Sequence, residues 1–70
     1  MGIYYTKHIL ERLLQRGIDK KSIEYVLSNG INYLNDDGFS IHEGSINGKK
    51  LRIITQIKSK HVILITSYYI

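Results

Sequence analysis

The chain has 70 residues, 43% of them apolar, with no cysteine, no proline and a formal net charge of +4. A chain this short buries only about 60% of the surface its unfolded form exposes, so one small domain over residues 1–70 is expected, without repeats or a cofactor-sized cavity. The lack of cysteine excludes disulfides, thiolate nucleophiles and Cys-based zinc sites, and ten Lys and Arg against six acidic residues favour a polyanionic partner.

Thr6 is a suitable N-cap for a helix from Lys7 to Arg16, and Gly17 a suitable residue just beyond its end. Ile9, Leu10, Leu13 and Leu14 recur at helical spacing as one apolar stripe. Opposite it, His8, Arg12 and Arg16 follow each other at i,i+4 and stack along one ridge. Two arginines at that spacing repel by a few tenths of a kcal/mol, a cost that stability does not require. Asp19 caps a second helix, Lys20 to Ser28, whose Ile23, Val26 and Leu27 face inward and which Asn29-Gly30 closes. Ile18 and Asp19 leave room only for a tight corner between the helices.

After Gly30 the period changes from 3.6 to 2. Ile31 to Asn35, Phe39 to Ile46, Leu51 to Ile57 and Val62 to Tyr69 read as strands. They are separated by Asp36-Asp37-Gly38, by the type I′ signal Asn47-Gly48, and by the basic turn Lys58-Ser59-Lys60. Such short connections make neighbouring strands antiparallel. The expected fold is α+β, with two N-terminal helices packed on a four-stranded antiparallel meander. The last strand has Val62 and Leu64 on one face and Ile63 and Ile65 on the other, which points to a covered second face: a partner, a second copy or strong sheet twist.

No stretch approaches the roughly 18 apolar residues of a membrane span. Met1 to Thr6 lacks the charged and apolar regions of a signal peptide, so a complete small cytoplasmic protein is expected. His8, His42 and His61 have no metal-binding spacing, and the glycines form no phosphate loop, so neither metal nor cofactor is expected. His42 and His61 read as ordinary strand or turn residues. The ridge His8, Arg12, Arg16 is different. Cleavage of RNA without a metal needs a base for the 2′-hydroxyl, cations for the phosphorane and an acid for the leaving 5′-oxygen. One histidine and two arginines on a single helix face offer the first two of these. The hydroxyls of Thr66, Tyr68 and Tyr69 offer phosphate orientation or a proton. Lys49, Lys50 and Arg52 on one hairpin, with Lys58 and Lys60 on the next turn, suit a phosphate backbone. Tyr4-Tyr5 and Tyr68-Tyr69 suit base stacking. The plainer reading stands beside each: a solvated helix face, lysines that protect sheet edges, and tyrosines that pack.

The order of these motifs carries a resemblance. His8, Glu11-Arg12 and Arg16-Gly17-Ile18, followed by a second helix at Ser22 to Leu27 and closed by Ile63-Leu64-Ile65-Thr66-Ser67-Tyr68, resemble the domain of unknown function 4258 family over nearly the whole chain. That family is similar to the RelE-like and barnase–colicin-like metal-independent RNases found in toxin–antitoxin pairs. The resemblance implies a helix-on-sheet fold, an RNA substrate (mRNA or tRNA) and a neutralising antitoxin protein. It also implies site roles for His8, Arg12 and Arg16, with Thr66 as the late hydroxyl. Ile9 departs from the small residue usual after the histidine. By strict alternation Thr66 shares a face with Val62 and Leu64; if that face is the core, Ser67 or Tyr69 is the exposed hydroxyl instead. Two functions follow: a toxin-like endoribonuclease, or a basic RNA- or protein-binding module on the same scaffold without turnover.

Overall fold

The computed structural model describes residues 3–35 and 38–70; Asp36 and Asp37, expected in the turn before Gly38, lie outside the described residues. In chain order the elements are β1 (Ile3–Tyr4), α1 (Lys7–Gln15), α2 (Lys20–Asn29), β2 (Ile31–Leu34), β3 (Ser40–Ile46), β4 (Lys49–Lys58) and β5 (His61–Tyr69). The strands form one sheet in the order β1-β5-β4-β3-β2. β2 to β5 make the antiparallel meander expected from the short turns. β1 runs parallel to β5, with Ile3 opposite Val62 and Tyr4 opposite Ile63. The sheet is therefore five-stranded and mixed, not four-stranded and antiparallel. Two residues are too few to show an alternating pattern, and Ile3 becomes a strand residue only because it packs against a core assembled by the rest of the chain.

Local chemistry sets both helices. The Thr6 hydroxyl accepts from the Ile9 amide at 3.1 Å and the Asp19 carboxylate from the Ser22 amide at 2.8 Å, each satisfying an otherwise open donor in the first turn. At the end of α1, Gly17 sits at φ +68°. The Ile18 amide donates to the Leu13 carbonyl at 2.9 Å and that of Gly17 to Leu14 at 3.2 Å, a Schellman closure. Ile18 and Leu13 are both buried, so the closure also plants the corner in the core. At the end of α2, Gly30 is needed for close approach. A Cβ there would meet the Glu43 carbonyl oxygen and lie 2.6 Å from that of Val26.

Both helices cover one face of the sheet. Ile9, Leu13, Ile18, Ile23 and Val26 pack on Leu51 and Ile53 of β4 and Leu64 of β5. The expected four-residue stripe on α1 is halved. Ile9 and Leu13 are buried, Leu10 is partly exposed and Leu14 is 83% exposed. At about 100° per residue, Leu10 and Leu14 lie roughly 80° and 120° around the helix from the middle of the buried pair Ile9 and Leu13, and α1 rests against a single sheet.

One irregularity decides which residues reach which face. Ile54 pairs with Thr66 but Thr55 pairs with Leu64, so Ile65 is an extra residue on β5, a β-bulge. The bulge reverses the alternation. Leu64 and Ser67 both turn into the core, while Thr66 and Tyr68 turn to the uncovered face with Ile54 and Arg52. Thr66 does not share a face with Leu64, as strict alternation required.

Both two-residue hairpins take positive φ: Asn47 (52°) and Gly48 (81°) between β3 and β4, Ser59 (51°) and Lys60 (67°) between β4 and β5. The first has the residue types this turn favours; the second places two ordinary side chains in the left-handed region. Among the described residues no helix is long and apolar enough to cross a membrane.

Candidate nucleic-acid interface

The sheet face away from the helices carries a band of polar side chains that crosses four strands. Opposed residues on antiparallel strands share a face, and here Glu43 of β3 faces Arg52 of β4, which faces Tyr68 of β5. The Arg52 Nε donates to Glu43 Oε2 at 2.7 Å, and its terminal nitrogen lies 3.3 Å from the Tyr68 hydroxyl. The Tyr33 hydroxyl, on β2, donates to the same Glu43 oxygen at 2.8 Å. Lys50 Nζ stands 3.5 Å from the other carboxylate oxygen. The Arg52 guanidinium also lies 5.9 Å from the centre of the Tyr68 ring, within cation–π range.

These contacts set the charge states. The bond from Tyr33 and then that from Arg52 hold the Glu43 carboxyl below its usual range. The same bond to Glu43 pushes the Tyr33 hydroxyl up. Arg52 is pushed above its ordinary value, first by Tyr68 and then by Glu43. Glu43 is thus a fixed anion holding an arginine in place, with both oxygens occupied.

The band continues to α1. The Arg16 guanidinium reaches β5, donating to the Ser67 carbonyl at 2.8 Å and lying 3.4 Å from the Thr66 hydroxyl. Thr66 and Tyr68 are two apart on one face of β5, so Arg16, Thr66, Tyr68 and Arg52 form an unbroken line. His8 and Arg12 are exposed on α1, and neither side chain makes a hydrogen bond, ion pair or ring contact among the described residues. Measured from the middle of the buried stripe, Arg16, Arg12 and His8 lie roughly 40°, 80° and 120° around the helix. Only the first faces the sheet. His8 is also about 12 Å along the axis from Arg16.

The basic residues divide. Lys50, Arg52 and Lys58 alternate along β4 onto the open face; Lys49 lies on the helix side, 6.0 Å from the Tyr69 ring, and Lys60 occupies the turn. Beside Lys58 a shallow, mostly apolar pocket of about 390 Å³ is lined by Tyr4, Thr6, Ser59, His61 and Ile63. In it Tyr4 and His61 meet edge to face at 4.8 Å. Tyr5, named with Tyr4 as a stacking residue, turns inward; its hydroxyl is buried without a hydrogen-bond partner among the described residues, and burial raises its pKa.

Sequence reasoning singled out Arg52, Lys50, Tyr68, Thr66 and Arg16 but missed Glu43 and Tyr33. Glu43 lies in a strand with no recognisable motif, and only the register aligns it with Arg52. His42, read as an ordinary strand residue, has a built environment on the helix side. Its Nε2 is 2.8 Å from the Thr55 hydroxyl and its Nδ1 meets Asn32 Oδ1. Burial lowers its pKa. Since Asn32 Oδ1 only accepts, Nδ1 carries the proton in the neutral ring and Nε2 accepts from Thr55. These residues line a cleft of about 520 Å³ with Glu24 and Ser28 of α2, larger than the chain length led one to expect.

Comparison with curated proteins and with solved structures gave no match. Comparison with family models matched residues 5–69 to one described as "Domain of unknown function (DUF4258)". That span runs from Tyr5, through the Arg16 ridge, to Tyr69 beyond the last residue of the band, and the chain belongs to this family.

Proposed function

We propose that the protein is a small toxin-type endoribonuclease that cleaves RNA without a metal and is restrained in the cell by a protein antitoxin. The observation that supports this reading best is the line of Arg16, Thr66, Tyr68 and Arg52 on an uncovered sheet face, with Lys50 beside it. Its chemistry fits a phosphodiester. Arg16, Arg52 and Lys50 bind the phosphate and stabilise the charge that develops on the phosphorane. Glu43 is a positioning residue, because it fixes the guanidinium of Arg52 before substrate arrives. Lys58 and Lys60 extend the basic track, and Tyr4 offers a ring for a base.

In the proposed reaction a base takes the 2′-hydroxyl proton, the O2′–P bond forms and the P–O5′ bond breaks. An acid returns a proton to O5′, leaving a 2′,3′-cyclic phosphate and a 5′-hydroxyl. His8, at the position that matches the family's helix histidine, is the proposed base, with Arg12 beside it on α1. Tyr68 is the proposed proton donor. The non-catalytic alternative, a basic RNA- or protein-binding module, is favoured by one observation: among the described residues His8 makes no hydrogen bond or ion pair with the band.

The test compares wild type with a His8→Ala variant shown by circular dichroism to be folded, on free RNA in EDTA and in a translating extract, with the new RNA ends mapped. Cleavage to 2′,3′-cyclic phosphates that is lost in the variant is the expected result. Equal cleavage by both moves the base to another residue. No cleavage in either arm, with RNA binding that depends on Lys50 and Arg52, establishes the binding module.

A further inference from the structure

The two edges of the sheet are finished differently. On one side β1 is only two residues long, and beyond it the β5 edge is closed by Arg16, whose guanidinium occupies the Ser67 carbonyl. Very short strands and side chains laid over an edge both block strand addition. On the other side β2 carries neither device. Its sequence Ile31-Asn32-Tyr33-Leu34 has no charge, no proline and no bulge, and every residue is exposed.

The direction of its free backbone groups follows from the register. The Asn35 amide donates to the Phe39 carbonyl at 3.0 Å. This position continues the β2–β3 pairing and is a hydrogen-bonded one. By antiparallel alternation Tyr33 and Ile31 also bond inward to β3, and the amide and carbonyl of Asn32 and Leu34 point outward. The side chains flanking that edge are apolar on both faces of the sheet. Ile31 (70% exposed) and Tyr33 lie on the open side, Leu34 (74%) on the helix side, with Tyr25 of α2 also exposed.

We infer that β2 pairs with β2 of a second copy of this chain, antiparallel, with Tyr33 opposite the partner's Tyr33. A two-fold axis perpendicular to the sheet keeps open face with open face, so opposed residues must have numbers of the same parity. With Tyr33 on the axis, Leu34 exchanges both backbone bonds with the partner's Asn32, and Asn32 with the partner's Leu34. Every outward amide and carbonyl of the strand is then paired. No charge on β2 meets its own copy, which a +4 chain needs at a self-interface. The closed opposite edge stops association at two. The result is one ten-stranded sheet whose open-face bands meet at the Tyr33 pair. The inference stands independently of the RNA reading.

The chain has no cysteine, so single cysteines test the register. Across the axis a non-hydrogen-bonded pair brings Cα atoms to about 4.5 Å, inside the disulfide range. Tyr33→Cys is expected to give a disulfide-linked dimer under mild oxidation. Ile31→Cys, about 13 Å from its copy in this register, and Leu14→Cys, on α1 and more exposed than Ile31 or Tyr33, are expected to stay monomeric. In wild type, sedimentation equilibrium is expected to show a mass rising toward twofold with concentration. Exchange of the Asn32 and Leu34 amides is expected to slow in parallel. Leu34→Lys is expected to return the monomer with an unchanged circular dichroism spectrum; if it does not fold, the wild-type exchange data decide. A wild-type monomer at every concentration, or cross-linking as fast at position 31 or 14 as at 33, overturns the proposal.

Discussion

The Arg16 guanidinium donates to the Ser67 carbonyl at 2.8 Å, tying the end of α1 to the outer edge of β5 across 51 residues of sequence. The same contact closes that edge and places a cation beside Thr66. Arg16→Ala is therefore expected to lower stability by about 1.5 kcal/mol, the lower end for loss of one charge-assisted bond, since the site is only part-buried. Urea unfolding followed by circular dichroism measures it.

The proposed binding of RNA to the open-face band has a salt signature. Each phosphate contact with a single strand contributes about 0.7 to the slope of log affinity against log salt. Arg52→Ala is expected to weaken binding and reduce that slope by about 0.7. Lys49→Ala, on the helix side beside Tyr69, is expected to leave the slope unchanged. Fluorescence anisotropy with a labelled single-stranded RNA across a salt series separates the two.

Gly30 is the close approach of α2 to β3. A methyl group there collides with two backbone carbonyl oxygens, those of Glu43 and Val26, and backbone does not yield as a flexible side chain does. Gly30→Ala is expected to destabilise by more than about 2 kcal/mol, against a few tenths for Ser28→Ala nearby on α2. Paired urea titrations check this.

The turn between β4 and β5 holds two ordinary residues at positive φ, Ser59 and Lys60. Left-handed backbone costs a non-glycine residue roughly 1 kcal/mol, so Lys60→Gly is expected to stabilise by a similar amount. Thermal unfolding shows it as a higher midpoint; a lower one shows that Lys60 makes up its strain elsewhere.

His42 gives a pH signature. Burial lowers its pKa from the ordinary 6.5, so the unfolded chain takes up a proton there before the folded one does. Its contribution to stability is complete above pH 6.5 and is lost as pH falls from there through the lowered folded value. Stability measured by urea at successive pH values is expected to decline over that window in wild type. His42→Gln is expected to lack that part of the decline.

Elements whose causes lie within a few residues are legible in the amino-acid sequence. Thr6, Gly17, Asp19 and Asn47-Gly48 mark the starts, stops and first tight hairpin, because caps and turns are satisfied by neighbours in sequence. The basic and hydroxyl residues of the band are legible by type: Arg16, Lys50, Arg52, Thr66 and Tyr68 all stand out. What binds them into a site is not. Tyr33 and Glu43 have no local signal, and they join Arg52 only through strand register.

The sequence by itself determined two capped helices, a meander of antiparallel strands and a basic, cysteine-free surface, since all of these follow from composition and short-range periodicity. Only the tertiary structure decided that Ile3–Tyr4 is a strand, that Leu14 faces solvent, and that Thr66 rather than Ser67 reaches the open face. Each of these depends on contacts between residues far apart in the chain. A single extra residue at Ile65, where β5 pairs with β4, reverses the alternation that a sequence pattern assumes to be unbroken.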